Sequence, residues 1–131
     1  MTAPVFYDPH QRRWRWFTRL SQAVGISASL AATALVVTIL LVIGTKAISG
    51  RGTPLRGGLP SGHAALAFAG WIAVTYLVGD QHRFLVSSLT LIMALLVAHT
   101  RVESGVHSTL EVTYGGLLGA LVTLVLFQVF S

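Results

Sequence analysis

Four apolar segments without a charged residue alternate with short polar segments along the chain. They cover residues 24–44, 63–79, 84–100 and 112–130. A helix that crosses a bilayer needs about 20 residues, with a range of about 17 to 25. The first and last segments meet this length easily, whereas the middle two lie at its lower limit and are expected to extend into the interface through adjoining residues. The pattern predicts an all-α membrane protein, a bundle of four transmembrane helices.

The composition supports this interpretation. Charged residues make up only 10% of the chain and hydrophobic residues 53%, whereas a soluble domain carries about 25% charged residues. The chain has no cysteine, which excludes disulfides, thiolate metal sites and cysteine nucleophiles. Its 131 residues fit one domain. We divide it into a basic and aromatic segment at residues 1–23 and a four-span region at residues 24–131.

The N-terminal segment combines arginines with aromatic residues in the sequence QRRWRWFTRL, residues 11–20. Such side chains favour the headgroup layer of a membrane. We interpret the segment as an interfacial anchor, and a specific lipid or protein contact is the alternative. The apolar run that follows is longer than the core of about 7 to 15 residues typical of a cleaved signal peptide.

The positive-inside rule orients the chain. The four arginines of the N-terminal segment place the N-terminus in the cytoplasm. With four spans, the C-terminus and the link at residues 80–83 lie on the same side. The two remaining loops, residues 45–62 and 101–111, then lie together on the extracytoplasmic face of the cell (inner) membrane.

The second of these loops contains a histidine and a glutamate four residues apart. On a helix, His107 and Glu111 would lie on one face, so that Glu111 could accept the Nδ1–H of His107 and leave Nε2 with a free lone pair. An imidazole held in this way is a directed nucleophile or base, although a plain hydrogen bond on a helix surface is an equal alternative. Arg101 precedes His107 by six residues, far enough for the loop to turn back and place a guanidinium beside it.

The first loop ends in a helix start. Pro60 disfavours helix at Leu59, so the helix is expected to begin after Pro60. Ser61 fits the N-cap position, followed by Gly62 and His63 in the first turn. Free backbone N–H groups at a helix start attract anions. His63 would then stand at the rim of an anion site as a proton donor, or it would simply be an interfacial histidine beside a cap.

Three further cations occupy the first loop, namely Lys46, Arg51 and Arg56. Ionisable groups at the membrane boundary are costly and tend to mark function. Converging cations, two histidines and a carboxylate indicate an anionic substrate, above all a phosphate. Nucleic acid is a poor candidate as a partner, because no continuous basic helix or soluble platform remains outside the spans.

These motifs resemble a known signature. PSGH at residues 60–63 followed by RVESGVHSTLE at residues 101–111 is similar to the type 2 phosphatidic acid phosphatase superfamily, which includes membrane lipid phosphatases and, more distantly, vanadium haloperoxidases. That signature comprises lysine, six residues and Arg-Pro; then Pro-Ser-Gly-His; then arginine, five residues, histidine, three residues and aspartate. The second part is complete here. The third has Glu111 in place of aspartate, and the first keeps Lys46 but has Thr53 in place of arginine.

The resemblance implies a metal-independent phosphatase without a cofactor. It would hydrolyse a membrane lipid phosphate or diphosphate, of the undecaprenyl diphosphate, phosphatidic acid or phosphatidylglycerol phosphate type. His107 would form a phosphohistidine, Glu111 would orient it, and His63 would protonate the leaving group and then help activate water. The phosphate would be held by Lys46, Arg101, Ser61 and Gly62, with Arg51 or Arg56 in place of the missing arginine. The four-span region would be the catalytic half of a family whose members usually have six spans.

Two other functions stay open. A lipid phosphotransferase would use a lipid hydroxyl in place of water. A non-catalytic four-helix membrane protein would bind lipid headgroups, or a metal or haem through its histidines. Finally, Gly115 and Gly119 have the spacing of close contacts between membrane helices, which predicts packing within the chain or, as the lesser alternative, a homodimer.

Overall fold

The computed structural model describes residues 12–49 and 58–130. Its four α-helices are α1 (Arg12–Ser49), α2 (Gly62–Leu77), α3 (Asp80–Glu103) and α4 (Thr109–Phe130). No strand occurs in these two ranges, as the sequence predicts. α2 lies at the centre of the bundle, because each of the other three helices packs more extensively against α2 than against any other helix, and α4 is its main partner.

Three of the helices, α1, α3 and α4, are long and apolar enough to cross a membrane. Their outer surfaces expose large apolar side chains, as expected for helices that face lipid. α2 is equally apolar but has 16 residues, a length of about 24 Å, which is less than the hydrocarbon thickness of about 30 Å. The four-span count therefore stays a prediction.

The first helix is longer at both ends than the sequence predicts. Residues 12–23, expected to form a separate segment, are the first turns of α1. Residues 1–11 lie outside the described part of the chain. Lys46, expected in a loop, lies in the last turn of α1. The reason is local, because arginine, tryptophan and leucine tolerate helix and no proline occurs between Arg12 and Ser49 to stop it.

α2 and α4 approach each other through glycine. A Cβ atom on Gly115 would collide with the backbone of Ser61, and a Cβ atom on Gly119 would collide with the backbone of Ala65. The small-residue spacing therefore serves packing within the chain, which brings the first turns of the two helices into backbone contact. Since α2 covers this glycine surface, a homodimer would need another surface.

A side-chain network links α2 to α3. The indole Nε1–H of Trp71 donates to Oγ of Ser87 at 3.0 Å, and the hydroxyl of Thr75 donates to the same oxygen at 2.8 Å. Hydrogen bonds between membrane helices satisfy polar atoms that lipid cannot. This network lies in the C-terminal half of α2, away from the loops that contain the predicted site.

Candidate active site

The turn after α3 folds the chain back over that helix. Gly105 has a φ of +69°, a left-handed conformation that glycine adopts without a Cβ penalty. Its N–H donates to the carbonyl oxygen of Val102 at 3.0 Å, and the N–H of His107 donates to the carbonyl oxygen of Arg101 at 3.2 Å. The spacing of six residues between Arg101 and His107 is therefore the length that the chain needs to turn at Gly105 and bring His107 back to the end of α3.

Glu111 holds His107 while it caps α4. Nδ1 of His107 lies 3.0 Å from Oε2 of Glu111, and the backbone N–H of Ser108 donates to the same oxygen at 3.1 Å. In return, the N–H of Glu111 donates to Oγ of Ser108 at 3.3 Å. These reciprocal bonds form a capping box. The predicted hydrogen bond is present, but His107 precedes the helix rather than sharing a face of it with Glu111.

The capping role of Glu111 goes beyond the role predicted from the sequence. Ser108 and Glu111 are spaced as in the serine-x-x-glutamate signature of a capping box, so the signal was available. The backbone at the start of α4 holds the carboxylate that contacts His107. The same side chain therefore stabilises the helix end and fixes the position of the histidine. The histidine ring is buried, with 7% of the residue exposed.

The start of α2 is joined directly to the start of α4. Ser61 occupies the N-cap position of α2 as predicted, and its backbone N–H donates to the carbonyl oxygen of Glu111 at 2.9 Å. This bond crosses between the two predicted loops. It explains why residues far apart in the chain, His63 and His107, line one cavity.

That cavity has a polar end and an apolar wall. Lys46, Gly62, His63 and His107 form the polar end, and the wall is formed by Ile39, Val42, Ile43 and Leu66. Its volume is about 240 Å³. Lys46 reaches the cavity from the last turn of α1 and is only 3% exposed, whereas His63 is exposed at the rim.

Arg101 and Ser61 lie beside the cavity rather than on its lining. The positive charges of Arg101 and Lys46 both act on the imidazole of His63, so the cations and histidines form one electrostatic cluster. Within the described ranges, Nε of Arg101 and Oγ of Ser61 are buried without a hydrogen-bond partner. Buried polar atoms of this kind are uncommon, and a bound anion would satisfy an N–H or O–H donor.

Arg51 and Arg56, proposed as substitutes for the missing arginine, lie outside the described residues, as does Thr53. Glu103 is the last residue of α3 and is exposed, with its Oε2 3.7 Å from Nε2 of His99. In the part of the chain that the structure describes, no group of three histidine, aspartate or glutamate side chains is placed to hold a metal ion.

Comparison with known proteins decides the family. The family model described as the PAP2 superfamily matches residues 2–131. The chain belongs to the PAP2 superfamily. No curated protein and no solved structure matches it significantly. Membership of the PAP2 superfamily confirms the resemblance seen in the sequence and supports a phosphatase that acts on phosphate esters, and the apolar helices support a membrane protein.

Proposed function

We propose that the protein is a metal-independent phosphatase that hydrolyses a membrane lipid phosphate or diphosphate. The observation that carries the proposal is the buried His107, whose Nδ1 faces the carboxylate of Glu111 and whose ring borders a cavity shared with Lys46 and His63. With the hydrogen on Nδ1, Nε2 carries the lone pair that a nucleophile needs.

In the first step, Nε2 of His107 attacks phosphorus. A P–N bond forms while the bond from phosphorus to the leaving oxygen breaks, and a protonated His63 gives its proton to that oxygen. The leaving group is a lipid alcohol if the substrate is a monophosphate and a lipid monophosphate if it is a diphosphate. The negative charge of Glu111 stabilises the positive charge that develops on the His107 ring. Lys46 and Arg101 stabilise the phosphoryl oxygens, the contribution that dominates phosphoryl transfer.

In the second step, water replaces the histidine. Neutral His63 accepts a proton from a water molecule as the water oxygen bonds to phosphorus and the P–N bond breaks. Inorganic phosphate leaves in this step for either kind of substrate, because a diphosphate has already released its lipid monophosphate in the first step. His63 is then protonated again, ready for the next cycle, and His107 is free.

Phosphate release from a panel of lipid phosphates and diphosphates, with and without chelator, tests the activity. We expect release that persists in chelator, is blocked by vanadate and is abolished by His107→Ala. The matched control is His99→Ala, because His99 is exposed at the same end of the bundle and pairs with Glu103. Normal turnover by folded His107→Ala protein would overturn the mechanism, and products that carry phosphate on a second lipid would indicate transfer instead of hydrolysis.

We also propose that the site faces outward and that both termini are cytoplasmic, on the strength of the arginines near the N-terminus. The chain lacks cysteine, so a single introduced cysteine shows on which side of the membrane its position lies. A membrane-impermeant thiol reagent should label Ser104→Cys in intact cells, and Gln81→Cys only after permeabilisation. The reverse result would invert the orientation.

A further inference from the structure

The apolar wall of the cavity has no role in the phosphoryl chemistry. Its residues come from α1 and α2, while α3 contributes none of the cavity lining and the α3–α4 turn contributes only His107. A site for free phosphate alone would be lined by donors throughout. Half of the described lining residues are aliphatic, so this part of the cavity has the mixed character of a site for an amphiphile.

α1 arranges the cation and the aliphatic residues on one face. Ile39, Val42, Ile43 and Lys46 stand at positions i, i+3, i+4 and i+7 of a continuous helix, and residues at these spacings are neighbours on a helix surface. Seven residues rise about 10 Å along the axis. The stripe therefore leads from the ammonium group of Lys46 along about two turns of α1 towards the middle of the membrane-spanning helix.

The wall is open at the side. Ile39 and Ile43 are 40% and 42% exposed, and Leu66 on α2 is also exposed, whereas Val42 between them is buried. Because these positions belong to a helix apolar and long enough to span a membrane, the open side faces the lipid phase. The cavity volume is about 240 Å³, and the open side leaves room for a longer chain to continue into the lipid phase.

We propose that Ile39 and Ile43 form a chain-binding subsite that selects phosphate esters carrying an alkyl or prenyl chain. The chain enters from the lipid phase between α1 and α2 and lies along the stripe, with its phosphate at Lys46, His63 and His107. This inference rests on the proposed function for the phosphate position, but it adds the side of approach and the residues that distinguish a chain-bearing ester from a water-soluble one.

Thiol protection tests the subsite without turnover. Ile39→Cys introduces a single thiol two turns before Lys46, about 10 Å along the axis of α1, and the protein is labelled in nanodiscs with a membrane-permeant thiol reagent. Dodecylphosphonate at ten times its Kd should slow the labelling about tenfold, and methylphosphonate should leave the rate unchanged. Leu40→Cys is the control, because Leu40 is adjacent on α1 but does not line the cavity.

The subsite is supported if dodecylphosphonate, but not methylphosphonate, slows labelling at position 39 and neither compound slows labelling at position 40. No protection, equal protection by methylphosphonate or equal protection of the position-40 thiol would overturn it. A second measurement compares hydrolysis by the variants with that by the wild type. The ratio of kcat/KM for dodecyl phosphate to kcat/KM for methyl phosphate should fall about tenfold in Ile39→Ala and should not change in Leu40→Ala. Protection of the thiol needs binding but no hydrolysis, so the protection test can succeed even if the protein is not a phosphatase. Conversely, protection can fail in a protein that hydrolyses lipid phosphates, so the two proposals fail separately.

Discussion

The carboxylate of Glu111 contacts His107 and Ser108 through a single oxygen, Oε2, at 3.0 Å from the imidazole Nδ1 and 3.1 Å from the backbone nitrogen. One side chain thus caps α4 and holds the candidate nucleophile. The two effects can be separated experimentally, because an amide oxygen can accept the Ser108 N–H but carries no charge to stabilise a developing imidazolium.

Glu111→Gln should therefore lower kcat far more than it lowers stability. We expect a loss on the order of 10⁴-fold, as found when the carboxylate that orients the histidine of serine proteases becomes an amide, with a nearly unchanged melting temperature in detergent. Glu111→Asp keeps the charge and should retain much more activity. Equal activity of the glutamine variant and the wild type would show that the contact is only structural.

Gly105 determines where His107 lies. No atom stands within 4 Å of a Cβ placed on Gly105, but its φ is +69°, so Gly105→Ala tests backbone conformation alone. We expect a cost of about 1–2 kcal/mol in unfolding free energy and a lower kcat, since the turn that returns His107 to the end of α3 is strained. Gly105→Asn should restore much of both, because asparagine tolerates this conformation. Equal losses for alanine and asparagine would argue against the conformational explanation.

The contact between α2 and α4 depends on the absence of side chains at two positions. Gly115→Ala and Gly119→Ala should each destabilise the protein by about 1–3 kcal/mol or more, because the added methyl group meets backbone rather than a movable side chain. Gly70→Ala is the control, since nothing lies within 4 Å of a Cβ there. Denaturant titration in micelles measures the difference. If all three variants unfold alike, the helices do not approach as described.

Ser87 should contribute to stability without affecting catalysis. Ser87→Ala leaves Nε1 of Trp71 without its acceptor and removes the bond from Thr75 to α3, while the Thr75 hydroxyl still reaches the carbonyl oxygen of Trp71 in its own helix. We expect a cost of about 0.6–1.7 kcal/mol. Ser88→Ala is the matched control, because among the described residues the Ser88 hydroxyl donates to the carbonyl oxygen of Phe84 in its own helix and to no other group. A large change in kcat for Ser87→Ala would show that the network influences the site.

The sequence by itself determined the helical class, the N-cap at Ser61, the pairing of His107 with Glu111 and the family. These features follow from local patterns: apolar runs of membrane length, a proline before a helix, a spacing of four residues and a motif of fixed order. It misjudged the ends of α1, because a helix continues until a residue stops it and the change from apolar to polar composition near Lys46 is not a stop.

Only the tertiary structure decided which residues share the cavity. The bond from Ser61 N–H to the carbonyl of Glu111 and the backbone contact at Gly115 join segments some fifty residues apart in the chain. No periodicity in the sequence predicts this contact between α2 and α4, because the contact depends on how closely the two helix backbones approach in space. The apolar wall was hidden for the same reason. Ile39 and Ile43 look like ordinary lipid-facing residues until α2 is packed beside them and Lys46 is seen on the same face of α1.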